Sequence, residues 1–77
     1  MILLFGSSHC APCVVVKHKL NAYNIAYTYV DVDSDEGVLL TAKYGISSVP
    51  TMVVVDGDKI SHITGGAINE ELARIIK

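Results

Sequence analysis

The sequence of 77 residues has two cysteines, two prolines, no tryptophan and no excess of positive charge. Two cysteines are too few for the disulfide framework of a small secreted domain, which takes four or more. Six Lys and Arg against eight Asp and Glu give a net charge of −2. A basic surface suited to phosphate backbones is therefore not expected, and nucleic acid is set aside as a partner. No apolar run reaches the ~18 residues that would cross a bilayer, so no membrane span is expected. The opening Met1-Ile2-Leu3-Leu4-Phe5 has no basic residue ahead of it and stops at Gly6. A secretory leader has a basic start and an apolar stretch of about 7–15 residues. The expectation is a cytoplasmic chain, in a compartment that keeps thiols reduced.

What is present is apolar: 51% of the residues are hydrophobic and 18% charged. That balance excludes a disordered tail and predicts one compact domain over 1–77, taken to be monomeric. So short a chain buries only about 60–65% of the surface its unfolded form exposes, which makes its stability modest.

Ile2–Phe5 reads as a buried strand closed by Gly6-Ser7-Ser8. Pro12 is compatible with a first helical turn, and a helix is predicted from Ala11 to about Asn24, with Val16, Leu20 and Tyr23 on its apolar face. Ile25–Val32 has strand composition. Asp33 or Ser34 then caps a helix that begins with Asp35 and Glu36 and stops at Gly45. Thr51–Val55 and Lys59–Thr64 form a hairpin around Asp56-Gly57. Gly65-Gly66 ends it, and Asn69 is expected to cap a last helix with Leu72, Ile75 and Ile76 on one face. The order β-α-β-α-β-β-α gives an α/β fold: a four-stranded mixed sheet covered by three helices.

The two cysteines are Cys10 and Cys13, three positions apart at the expected start of the first helix. Unpaired N–H groups and the positive end of the helix dipole stabilise a thiolate there. Such positions lower a cysteine pKa from about 8.5 into the range ~3.5–7.5. Cys10 is the exposed attacker, and Cys13, one turn inside, resolves the mixed disulfide. His9 beside Cys10 is a candidate to stabilise the thiolate or carry a proton. Two other readings stay open. Zinc needs about four ligands, for which His9, His18 and His62 are the remaining candidates, though none stands at a second ligand-pair spacing. The pair could also be inert and buried. Asp31, Asp33 and Asp35 fail as a calcium loop, because Gly37 and Ala42 stand at the wrong loop positions. Tyr23, Tyr27, Tyr29 and Tyr44 are expected in the core.

Phe5-Gly6-Ser7-Ser8-His9-Cys10-Ala11-Pro12-Cys13 has the spacing of a glutaredoxin opening, and Lys17 matches a common basic position there. Pro12 before the second cysteine resembles thioredoxin's Cys-Gly-Pro-Cys. Ala42-Lys43-Tyr44-Gly45-Ile46-Ser47-Ser48-Val49-Pro50-Thr51 is very similar to the thioredoxin run that ends in its cis-proline. The chain thus resembles the thioredoxin and glutaredoxin superfamily over nearly its whole length. The resemblance implies a thioredoxin-like fold and a cis peptide between Val49 and Pro50, packed beside the cysteines. It also implies a substrate site made by His9, Ala11, Pro12, Val49, Pro50, Gly65 and Gly66. Leu4 stands where thioredoxins bury an Asp that assists the second cysteine, and the first strand and helix of full thioredoxins have no counterpart.

By that resemblance the chain is an enzyme, a thiol–disulfide oxidoreductase that reduces protein disulfides through Cys10 and Cys13. It holds no bound cofactor or metal, only the reversible Cys10–Cys13 disulfide. Reducing equivalents come from NADPH through a thioredoxin reductase-like flavoprotein, or from glutathione. Clients are disulfide-containing proteins, ribonucleotide reductase among them. A glutathione-dependent glutaredoxin is the alternative: Val49 and Gly65-Gly66 match positions around the tripeptide. The basic residue near Ser7 is absent, however, and Ile68-Asn69 replaces the acidic pair, which favours the thioredoxin-type electron donor.

Overall fold

Alternation along the first strand sets the layers. In β1 (Ile2–Gly6), Ile2 and Leu4 point to one face of the sheet, and Leu3 and Phe5 to the other. That is the period of two imposed by a pleated backbone. The structure, a computed structural model, describes residues 1–75. After β1 come α1 (Ala11–Ala22), β2 (Thr28–Asp31), α2 (Asp35–Tyr44), β3 (Thr51–Asp56), β4 (Lys59–Thr64) and α3 (Gly65–Ile75). The sheet runs β2-β1-β3-β4, with β1 parallel to β2 and antiparallel to β3, and β3 antiparallel to β4. The mixed sheet and three helices expected from the sequence are all present.

Helices α1 and α3 cover one face, where Val16, Leu20, Ile68 and Leu72 enclose Leu4 and Met52. Helix α2 covers the other, over Leu3, Phe5, Val30 and Val53. There the Tyr44 ring meets Phe5 edge to face, with centroids 6.1 Å apart. Ser34 caps α2 by accepting the Gly37 N–H at 2.9 Å, and Gly45 ends it in the left-handed region at φ 65°. Glycine takes that conformation without the penalty a Cβ would bring.

Three boundaries differ from the sequence expectation. Helix α1 stops at Ala22, because Asn24 turns to φ 56° and the Leu20 carbonyl accepts the Ile25 N–H at 3.0 Å. Tyr23 therefore swings off the apolar stripe, 46% exposed, and the buried stripe is Cys13, Val16 and Leu20. Strand β2 begins only at Thr28; Ile25 and Tyr27 pack on the core as a connector. Helix α3 starts at Gly65, directly after β4, and not at Asn69. The Gly65 N–H is taken by the Pro50 carbonyl at 3.0 Å, and φ of 42° at Gly65 turns the chain without a loop. Ile68 and Leu72 bury the start of that helix. Ile76 and the side chain of Ile75, placed on the same stripe by the sequence, lie outside the described residues.

Candidate active site

Cys10 is the N-cap of α1, with extended φ −105° and ψ 105°. Its Sγ accepts the Cys13 N–H at 3.3 Å, and its own N–H donates to the Ser7 carbonyl at 3.1 Å. A sulfur in this position occupies one of the donors a helix start leaves unpaired, and negative charge on it faces the positive end of the dipole. Pro12 sits in the first turn, where its missing N–H costs no helical bond. Cys10 is half-buried, whereas Cys13, one turn inside, is 1% exposed. The two are joined as a disulfide with Cα atoms 5.3 Å apart, inside the usual 4.4–6.8 Å span. The Cys10 sulfur is thus nearer the surface, and the Cys13 sulfur is held beneath it.

The Val49–Pro50 peptide is cis, and Pro50 is buried. Thr51 Oγ1 donates to the Ser48 carbonyl at 2.7 Å, and the Pro50 carbonyl ties this loop to α3 through Gly65. The loop, the first turn of α1 and the start of α3 enclose an open groove of about 640 Å³. Ala11, Pro12, Val49, Pro50, Gly65 and Gly66, six residues singled out in the sequence, all line it. Its volume falls in the ~300–1,000 Å³ range of binding clefts. Val15 and Asn69 complete the lining with Val16, Val15 half-exposed and apolar, Asn69 held by Lys19 Nζ at 2.7 Å. His9 lies outside the groove lining, exposed, its N–H donating to Ser7 Oγ at 3.3 Å.

The other candidates are dispersed. Among the described residues, no three His, Cys, Asp or Glu side chains gather as a metal site. His18 is exposed on α1, and the His62 ring bonds the Tyr44 carbonyl through Nε2 at 2.7 Å. Asp31 Oδ1 accepts the Asp33 N–H at 2.9 Å, and Asp33 Oδ2 accepts from Ser7 Oγ at 3.1 Å. These acids fasten the turn after β2 to the loop that carries the cysteines.

One feature beside Cys13 was missed by the sequence. Gly6 ends β1 where a side chain has no room: a methyl group there would lie 3.0 Å from Tyr29 Oη and 3.1 Å from Cys13 Cβ. Lys17 Nζ sits 4.6 Å from the centroid of the same tyrosine ring. Burial pushes the Tyr29 phenol above its ordinary pKa, and the charges of Asp31 and Asp33 add to the rise. The available signals were Tyr29 in the strand beside Leu4, and Lys17 four residues after Cys13.

A paired-cysteine site at a helix start, a cis-proline loop and a groove between them define a small dithiol redoxin on a thioredoxin-like fold. The glutaredoxin family model matches residues 2–60, and the chain belongs to the glutaredoxin family. Full-length thioredoxins are also similar. Thioredoxin-T of Drosophila melanogaster is 26% identical over 83 residues, covering all of this chain and 52% of its own. Thioredoxin of Staphylococcus saprophyticus is 28% identical, over 95% of this chain and 75% of its own. The chain therefore spans about half of the first relative and three quarters of the second. Among solved structures, the thioredoxin-like protein BC3987 superposes with a TM-score of 0.73 at 34% identity, covering 97% of this chain and 99% of that one.

Proposed function

We propose that this protein is a thiol–disulfide oxidoreductase that reduces disulfides in client proteins. The observation that carries the reading is the pairing of a sulfur at the N-cap of α1 with a buried one a turn later, beside an uncharged groove. In the reduced protein, Cys10 thiolate attacks one sulfur of a client disulfide. That S–S bond breaks, a mixed disulfide forms, and the first client sulfur leaves and takes a proton. Cys13 then loses its proton and attacks Cys10 Sγ. The Cys10–Cys13 bond forms as the second client sulfur leaves, so two electrons pass from the dithiol to the client.

The groove supports a protein client over free glutathione. Its lining is alanine, proline, valine and glycine with Asn69 as the one polar side chain, which offers shape and backbone but no charged lining residue to hold the ends of a tripeptide. An extended client segment would lie along the Val49–Pro50 loop and pair with backbone there. We further propose a thioredoxin reductase-like flavoprotein using NADPH as the source of electrons, a cytoplasmic setting, and ribonucleotide reductase as one client. A glutathione-recharged role is the competing reading, supported by the family match and by Val49 and Gly65-Gly66 in the groove.

Insulin reduction tests the chemistry. Cys10→Ser should abolish turnover, and Cys13→Ser should accumulate a mixed disulfide visible on a non-reducing gel. Full activity in both single variants would end this reading. Supplying either NADPH with thioredoxin reductase or glutathione alone decides the donor. A reduction potential near about −270 mV accords with the first, and about −200 to −230 mV with the second.

A further inference from the structure

The resolving step needs help that the exposed sulfur does not. A thiolate on Cys13 would form at 1% exposure, one turn inside the helix, where the dipole is weaker than at the cap. Leu4, buried on β1 beneath α1, brings no charge. The space that Gly6 leaves empty is shared by Cys13 Cβ and Tyr29 Oη, each about 3 Å from the same point. Tyr27 Oη donates to Asn21 Oδ1 at 2.9 Å, whereas the Tyr29 hydroxyl has no such partner among the described residues. Lys17, four residues after Cys13 on α1, holds its ammonium over the Tyr29 ring, a cation–π contact that fixes both side chains.

We propose that Tyr29 is a positioning residue for the exchange: when the disulfide opens, its hydroxyl donates a hydrogen bond to Cys13 Sγ, with the Lys17 ammonium behind the ring. This deepens the dithiol reading and rests on it. Other groups also face the phenol. Asp31 on β2 and Asp33 beyond it carry negative charge, Tyr27 lies just before the same strand, and Lys17 is the cation from α1. A phenol of ordinary pKa about 10 is already protonated at neutrality. Burial, followed by the charges of Asp31 and Asp33, raises it further, so it is a donor and not a base. In resolution the proton of Cys13 therefore passes through solvent to the departing client sulfur, and Tyr29 keeps its own. Hydrogen bonds to charged groups are the stronger kind, so the donor favours the thiolate over the thiol.

The test reads Cys13 without turnover. In the full chain carrying Cys10→Ser, with 13Cβ-labelled cysteine, NMR follows the titration of Cys13. Tyr29→Phe keeps the ring and its packing and should raise the Cys13 pKa by about one unit, a tenfold loss of thiolate at a given pH. Lys17→Met should raise it by less. In the protein with both cysteines, Tyr29→Phe should slow release from a preformed mixed disulfide about tenfold near neutral pH, and leave alkylation of Cys10 by iodoacetamide unchanged. A Cys13 titration that is the same with and without the Tyr29→Phe substitution overturns the assignment, whatever happens to thermal stability. Absence of any trapped mixed disulfide in Cys13→Ser would instead bring down the dithiol reading, and the titration would still decide the role of Tyr29.

Discussion

The two faces of the sheet are held by different forces. On the face under α1 and α3, Leu4, Leu20, Met52 and Ile68 are wholly buried, and side chains from two helices interlock over one strand pair. On the other face α2 stands alone. It leaves Val38 and Leu39 exposed and buries Leu40 only in part. Beside the packing of Leu40 and Tyr44, a polar corner fixes α2: Ser34 Oγ donates to the Asp31 carbonyl at 2.7 Å and accepts the Gly37 N–H, while Thr41 Oγ1 donates to the Gly37 carbonyl. The Gly37 Cα lies so close to β2 that a methyl group on it would fall 1.7 Å from the Asp31 carbonyl oxygen. The cysteines are built on the face held by packed volume. Cys13 belongs to the same buried stripe as Val16 and Leu20, so its sulfur inherits the rigidity of the core.

That contrast breaks most visibly by removing volume. Leu20→Ala should cost about 2–5 kcal/mol, the range for emptying a well-packed core site. Leu40→Ala on the opposite face should cost clearly less, since Leu40 is only partly buried. Urea denaturation of the two oxidised variants measures the difference. Equal losses would mean that α2 also holds by packing. Against a total stability of about 5–15 kcal/mol for a small domain, the Leu20 loss is large enough to unfold part of the population.

Adding volume should invert the order. Gly37→Ala introduces one methyl group against backbone that cannot rotate away, at an expected cost near the upper end of the ~1–3 kcal/mol seen for overpacking. Next in size is Ser34→Ala, which removes the cap on α2 and the bond to Asp31, about 1 kcal/mol by melting temperature or urea midpoint. Both variants should leave insulin reduction by the folded protein near its normal rate, because neither touches the groove or the cysteines.

How much of this was readable in the sequence follows the same division. The continuous apolar run Ile2–Phe5 and the stop at Gly45 were local signals, and the elements formed where those signals lay. The spacing of Cys10-Ala11-Pro12-Cys13 pointed to exchange chemistry with zinc and an inert pair still open, and the Val49-Pro50 loop was found through resemblance. The misplaced boundaries had different causes, only one of them non-local. Helix α3 begins early because a carbonyl from residue 50 reaches Gly65, and α1 ends early because Asn24 takes a left-handed turn. Gly6 and Gly37 looked like ordinary loop and helix residues. Their meaning lies in what stands opposite them, Tyr29 with Cys13 in one case and the Asp31 carbonyl in the other. A single sequence does not display such pairings.

Tyr29 supplies the smallest effect and joins the two regions. It packs on the face of α1 and α3, yet Asp31, whose carbonyl anchors the α2 corner, is among the charges that raise its pKa after burial itself. A group whose folded pKa lies above its unfolded value, here about 10, binds its proton more tightly in the folded state. Its contribution to stability is complete below pH ~10 and is lost as the pH climbs through the folded pKa, because the unfolded chain ionises first. The oxidised protein should therefore lose stability above pH ~10 more steeply than its Tyr29→Phe variant, with the two curves parallel below that pH. Urea midpoints between about pH 8 and 11 measure this, and using the disulfide form removes the cysteines from the titration. Parallel curves throughout would show that Tyr29 is solvated well enough to ionise alike in both states. A divergence that begins near pH ~10 and shrinks when Asp31→Asn is added would tie the polar corner electrostatically to the cysteine-bearing face.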